Sequence, residues 1–281
     1  MSKKKVKKEK VVKEVKNPGS AVGEAIGAQM EIALNKVIKE FVEEIGYTYV
    51  TSGVRKNKNG TLQKKLLMFD NFNNQYSIDG VIINDKKEPL IIFESKYIRY
   101  KKHNKDKGSW ICNTHSAVRK AYHSIRASIA VLGGEWSSSS LTMIQSFGTE
   151  YFLIPFDKIV AILGEYKIDF IWEEKEKSKA WKAWEAYSNL TKEQKEAIGD
   201  KMIAIVKEPL IDHISKILDN STPRKVEMLK VNLMSNLGET KEYSFESIEE
   251  ATDFLKKSKL EKEFLEEGSL KLDEIPKFNK D

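Results

Sequence analysis

The chain of 281 residues contains one cysteine, Cys112. It can form no disulfide within itself and no cysteine-based zinc site. Cys112 reads as a small buried hydrophobe rather than a nucleophile. No apolar run approaches the roughly 20 residues that a membrane-crossing helix needs. The N-terminus carries lysines with no apolar core behind them, which argues against a secretory signal. Together these absences predict a cytoplasmic protein with no membrane partner. Internal repeats, a Walker loop and a dinucleotide fingerprint are also missing, which removes motif grounds for a nucleotide-driven enzyme. The four histidines, at 103, 115, 123 and 213, show no metal-ligand spacing. His115 and His123 stand eight apart on one expected helix, and no metal is read from them.

What is present is an uneven charge. The 48 Lys+Arg exceed the 42 Asp+Glu to give +6, and the pI is about 9.0. Lysines crowd the first sixteen residues and the stretch from Lys96 to Lys107. Such patches favour an anionic partner through counterion release. Lysine-rich surfaces also serve solubility, and the Glu-rich C-terminal part marks much of the charge as solvated background. The apolar share of 40% supports a proper core, in one large domain or a core with an appendage.

The sharpest signal is Tyr76-Ser-Ile-Asp-Gly-Val-Ile-Ile-Asn84, then a polar turn from Asp85 to Pro89, then Leu90-Ile-Ile-Phe-Glu-Ser-Lys-Tyr97. Continuous apolar runs of this kind suggest strands buried on both faces. Side chains alternate along a strand, so Glu94 and Lys96 share a face and Ser95 takes the other. A hairpin would bring Asp79 beside them. Charge at the end of a buried sheet is costly unless it is partnered or functional. Two neighbouring carboxylates suit a divalent cation such as magnesium, which prefers hard oxygen ligands and keeps several waters. A cation there polarises a phosphodiester and acidifies a bound water, and an adjacent lysine orients that water or steadies charge on phosphorus. The competing account makes Asp79-Gly80 an ordinary turn and Glu94 with Lys96 a surface ion pair. The apolar runs on both sides argue against it.

Asp79 with Glu94-Ser95-Lys96 resembles the PD-(D/E)xK nuclease signature, and the chain as a whole is similar to a type II restriction endonuclease. One departure is visible: Ile78 stands where the signature names proline, a residue that shapes the backbone and is no ligand. The resemblance covers roughly residues 20–172. It implies an α/β fold, with a restriction-endonuclease-like core whose central mixed β-sheet is flanked by helices. It implies Mg2+ held by Asp79 and Glu94 with the Ser95 carbonyl, and Lys96 assisting the attacking water. Because a glutamate on the first helix can join such a cluster, Glu31 is the candidate further ligand, with Glu24 behind it. A solvated helix face is the competing account of both. The implied substrate is double-stranded DNA cut at a short sequence, and a homodimer suits a palindromic site. Two alternatives stand beside this: a structure-selective nuclease such as a junction resolvase or repair enzyme, and a non-catalytic DNA-binding protein.

Along the chain, residues 1–19 read as a basic flexible tail, 20–172 as the nuclease core, and 173–281 as a mainly helical region for dimerisation or DNA-binding support. Apolar spacing over Ile26, Met30, Ala33, Val37, Phe41 and Ile45 predicts a helix from Ser20 to Ile45, capped by Ser20 and ended by Gly46. Strands are expected at Tyr47–Val54 and Tyr151–Pro155. Helices are expected over Thr114–Leu132, from Asp157 to Gly164, after Thr191 with a capping box, and over Glu246–Phe264. Tyr97–Gly108 reads as a basic aromatic loop beside the site. Arg99, Lys101, Lys102, His103 and Lys105 on it are candidate DNA contacts. Arg119, His123 and Arg126, expected on one helical face, complete that set. Trp181, Trp184 and Tyr187 form an aromatic ridge read as a core or dimer face.

Overall fold

The first long helix starts where two signals coincide. Asn17 is extended and its side chain accepts a hydrogen bond from the Ser20 N–H, and Pro18 occupies the first turn, where its missing N–H costs nothing. The computed structural model describes residues 17–53, 65–173 and 175–259, with 262 and 264. The expected basic tail up to residue 16 and the loop around residues 56–60 lie outside the described residues. Helix α1 (Pro18–Glu44) is thus capped by Asn17, three residues ahead of the expected Ser20, and Gly46 follows it at φ +85°. Its buried stripe is Val22, Ile26, Met30, Ala33, Leu34, Ile38 and Val42. The expected stripe drifted off this face after Ala33: Val37 and Phe41 are half-buried and Ile45 is 43% exposed.

The chain then runs β1 (Thr48–Val50), β2 (Leu66–Phe69), β3 (Gln75–Ile78), β4 (Gly80–Ile83) and β5 (Pro89–Ile98). A short 3-10 turn at Lys101–His103 leads into α2 (Asn104–Ala121). After it come β6 (Ala127–Gly134), α3 (Ser138–Ser146), β7 (Glu150–Pro155), α4 (Phe156–Glu165), α5 (Lys177–Ser188), α6 (Lys192–Ala204) and α7 (Lys207–Leu218). Among the described residues the main sheet has the order β1-β4-β5-β6-β7. The first three strands pair antiparallel, whereas β5, β6 and β7 run parallel, so the sheet is mixed. Strands β2 and β3 form a separate ribbon. Its turn is organised by Asp70, whose carboxylate accepts the Phe72 and Asn74 N–H groups.

Two expectations fail here. Ile125, Ile129 and Leu132 lie at helical spacing, but α2 stops at Ala121 and the segment Ala127-Ser-Ile-Ala-Val-Leu-Gly-Gly134 is the parallel strand β6, buried along almost its whole length. A central strand covered on both faces reads as a continuous apolar run, which periodicity does not distinguish from a buried helix. The stretch expected as a loop, Tyr97–Gly108, instead finishes β5 and starts α2.

Alternation along the central strands builds three layers. Ile91, Phe93, Ile129 and Val131 join the core that contains α1. Ile92 packs with Val118 and Ile125, and Ile98, Ala130 and Leu132 pack with Ile111, Cys112 and Ile144, so α2 and α3 cover the opposite face. Cys112 is buried, as expected. The break expected after residue 172 falls inside one core: Trp172, Ala180, Tyr187, Met202 and Leu210 share the cluster of α1. The helical region from 177 to 218 therefore belongs with the sheet, and the compact unit ends at Asp219. The capping box at Thr191 and Gln194 is present. No described helix is long and apolar enough to cross a membrane.

A second unit runs from Asn220. Its hairpin, β8 (Leu229–Met234) with β9 (Thr240–Phe245), is followed by α8 (Ile248–Lys257), capped by Ser247. The Tyr243 and Phe245 rings lie 4.5 and 5.2 Å from that of Phe254 on α8. The helix expected at 246–264 is thus shorter, and the strands were not expected.

Helices α1 and α6 approach closely at Gly199, where an added Cβ would come within 2.4 Å of the Gln29 carbonyl oxygen. Because that neighbour is backbone, it cannot rotate away. Gly199→Ala is expected to cost about 2 kcal/mol of stability, read as a lowered midpoint in urea unfolding.

Candidate active site

Strand β4 stops registering with β5 at Gly80, opposite Phe93. Beyond that point the edge of β5 is released, and Asp79, between β3 and β4, turns onto it. The Ser95 N–H donates to Asp79 Oδ2 at 2.9 Å. In a strand the N–H and C=O of one residue point to the same edge. The Ser95 carbonyl therefore lies on the same edge as its N–H, toward Asp79. Gly80 is needed for this path, because a Cβ there would run into the Tyr49 hydroxyl at 2.1 Å.

Lys96 Nζ lies 2.5 Å from Glu94 Oε1 and 3.3 Å from Asp79 Oδ2. Asp79, Glu94 and Lys96, fifteen and seventeen positions apart in the chain, are thus one cluster. Glu94 is only 2% exposed. Burial works against its charge, but Lys96 and His115 outweigh it and hold the carboxyl below its usual range. Asp79 goes the other way: burial, then the charge of Glu94, push its carboxyl up against the pull of Lys96 and the Ser95 N–H. Burial would weaken the charged form of Lys96, yet Glu94 and Asp79 raise its pKa, so the side chain is an ammonium.

Glu31 of α1 reaches the same pocket, a hollow of about 370 Å³ also lined by Thr51, Lys65, Ser77 and Trp110. Burial first, then Asp79, raise the Glu31 carboxyl above its ordinary value. Glu24, the alternative, lines a different groove with Gly23, Gly27 and Tyr97. Tyr49 backs the site: its hydroxyl donates to Asn35 Oδ1 at 2.9 Å, and burial with the nearby Asp79 and Glu31 pushes its pKa up.

Whether these residues suit a magnesium ion turns on their donors. Glu94 Oε2 is buried with no hydrogen-bond partner. Three carboxylates share the pocket with the partly buried Lys96 ammonium, and burial first, then neighbouring carboxylates, raise the pKa of Glu31 and Asp79. All the donors are hard oxygens. Among the described residues no group of three or more Asp, Glu, His or Cys stands close enough to hold a metal by itself. Two carboxylates and a carbonyl nevertheless fit an ion that keeps several waters.

The expected DNA contacts fare unequally. Lys101, Lys102, His103 and Lys105 are exposed, on the 3-10 turn and the first turn of α2. Arg99 is not: it is 7% exposed, donates to the Phe170 and Trp172 carbonyls at 2.9 and 3.1 Å, and lies 3.6 Å from the centre of the Trp172 ring. Its guanidinium is committed within the protein. Arg119, His123 and Arg126 do not share a helical face, because α2 has ended before His123. Arg119 donates to the Gly148 carbonyl and Arg126 to the Ile217 carbonyl, while His123 is exposed.

Trp110, 48% exposed, stands at the pocket's lip. His115, behind Glu94, escaped the sequence reading. Its signal was its position: on α2 it falls between Ile111 and Val118 in the buried stripe, where a histidine needs a partner.

No protein-family model and no curated protein matches this chain. Among solved structures, that of the protein of unknown function AF1548 is similar over 67% of this chain and 99% of its own, at 14% identity and a TM-score of 0.30. A likeness of that extent carries no argument for fold or activity.

Arg99→Ala is expected to lose about 3 kcal/mol, since two buried carbonyls lose a charged donor. Lys101→Ala and Lys105→Ala should each stay within about 0.5 kcal/mol of the parent. Chemical denaturation of the three variants separates the structural arginine from the surface lysines.

Proposed function

We propose that this chain is a magnesium-dependent endonuclease of the PD-(D/E)xK type, with a restriction-endonuclease-like core, that cuts double-stranded DNA at a short sequence as a type II restriction enzyme does. The observation that carries the reading is the meeting of Asp79, Glu94 and Lys96 at the released edge of β5. A mixed sheet covered by helices on both faces is compatible with it.

Asp79, Glu94 and the Ser95 carbonyl would hold the ion, with Glu31 beside them. The ion's chemistry is to polarise the phosphodiester and acidify a bound water. The protein's own contribution is positional and electrostatic. Lys96, held as an ammonium between two carboxylates, orients the attacking water and steadies charge gathering on the phosphoryl oxygens. In that state it is a donor and not a base. Glu94 supplies a fixed negative charge from a buried position, and its burial keeps the pocket's geometry from relaxing. Lys101, Lys102, His103 and Lys105 offer exposed positive charge from the turn that directly follows β5 and from the start of α2, suited to the phosphates of a duplex. Two copies of the chain, related by a two-fold axis, would address the two strands of a palindrome.

Asp79→Ala and Lys96→Ala are each expected to lower magnesium-dependent plasmid cleavage at least about a hundredfold while leaving DNA retention in a gel-shift assay. Wild-type cleavage by Asp79→Ala sinks the assignment. Discrete fragments from a defined duplex support a sequence-specific enzyme; cutting confined to branched substrates would transfer the site to a structure-selective one. Replacing Lys101, Lys102 and Lys105 should flatten the salt dependence of binding, by about 0.9 in log–log slope for each phosphate contact removed, with little change in which sequences are cut.

A further inference from the structure

A chain of buried polar groups stands behind Glu94. His115 of α2, Ser128 of β6 and Thr149, just before β7, are each at most 2% exposed. Ser128 Oγ lies 2.5 Å from His115 Nδ1 and 2.8 Å from Thr149 Oγ1. The other ring nitrogen, Nε2, is 3.9 Å from Glu94 Oε2. Neither of those last two atoms has a hydrogen-bond partner. Three separate elements thus deliver three polar side chains to one line that ends on the carboxylate. A buried line of this kind is costly unless its donors and acceptors are ordered.

The order follows from what each atom can do. A neutral imidazole has one N–H and one lone pair. Were Nδ1 the donor, the Nε2 lone pair would face a carboxylate oxygen in a buried space, acceptor against acceptor. With Ser128 donating to Nδ1, and Thr149 donating to Ser128, the Nε2–H faces Glu94 instead. The register of the sheet places the groups together: Glu94 lies opposite Ala130 on β6, and Ser128 is two residues earlier on the same face.

We propose that His115 is a positioning residue for Glu94, held in one tautomer by the Ser128–Thr149 hydroxyl pair so that its Nε2–H fixes the orientation of the carboxylate. Lys96 holds Oε1 at 2.5 Å, and His115 Nε2 faces Oε2 from 3.9 Å on the other side. A ligating carboxylate backed this way binds its ion more tightly, and loss of such a partner typically costs about 10–100-fold in metal affinity or activity. The proposal rests on the nuclease reading given above.

The test is calorimetric titration of the full chain with Mn2+, alongside the magnesium concentration needed for half-maximal plasmid cleavage. His115→Ala is expected to weaken both by about tenfold or more, with DNA retention unchanged. His115→Gln, which keeps an N–H donor, should recover part of the loss, and Ser128→Ala should reproduce part of it. A merely structural histidine would show itself in the unfolding midpoint but not in this ordered pattern of metal affinities. If His115→Ala does not fold, His115→Gln and Ser128→Ala decide. Folded variants that bind Mn2+ and respond to magnesium like the parent overturn the positioning role alone. A wild-type protein that binds no Mn2+ and cuts nothing overturns the nuclease reading, and this proposal with it.

Discussion

Burying the charge of Glu94 is the constraint around which the rest of the first unit is arranged. An isolated carboxylate so deep in a sheet would be neutralised rather than stay charged. Here it stays charged because one ammonium bridges it to Asp79 and a histidine faces its far oxygen. That bridge requires β4 to release β5 at Gly80, so that Asp79 meets the Ser95 N–H instead of a ladder partner. It also requires Lys96 to lie on the same face as Glu94, which the two-residue period of the strand guarantees.

The layers on either side turn this local arrangement into a rigid one. Helix α1 covers one face and brings Glu31 to the pocket; α2 covers the other, brings Trp110 to the pocket and sets His115 behind Glu94. Arg99 acts as a bolt between them and the C-terminal helices. It sits just past β5, donates to two carbonyls of the segment before α5 and lies over the Trp172 ring. An arginine suits this task because its planar guanidinium both stacks and donates in a fork. The same features make it unsuited to meeting a duplex, whereas Lys101, Lys102 and Lys105 after it are exposed.

How much of the site was legible depended on how local its signals were. Asp79, Glu94 and Lys96 could be read because alternation and two apolar runs are short-range properties of adjacent strands. Glu31 could be nominated from the helix, but only packing against the sheet selected it over Glu24, seven residues away. The cationic trio Arg119, His123 and Arg126 was misread because it rested on a helix continuing through residues that form β6. His115 was passed over because a histidine's meaning lies in its partners, and these come from two other strands' worth of chain.

The sequence alone determined the α/β character, the strands that carry Glu94 and Lys96, the lone buried cysteine and the capping box that starts α6, since all of these follow from near-neighbour chemistry: periodicity, caps and turn residues. Tertiary structure alone decided that Arg99 points inward, that residues 177–218 share the core of α1, and that Glu94 is backed by His115, Ser128 and Thr149. Those outcomes depend on contacts between segments far apart in the chain. Burial, and with it the charge state and duty of each polar group, is set only when the layers close.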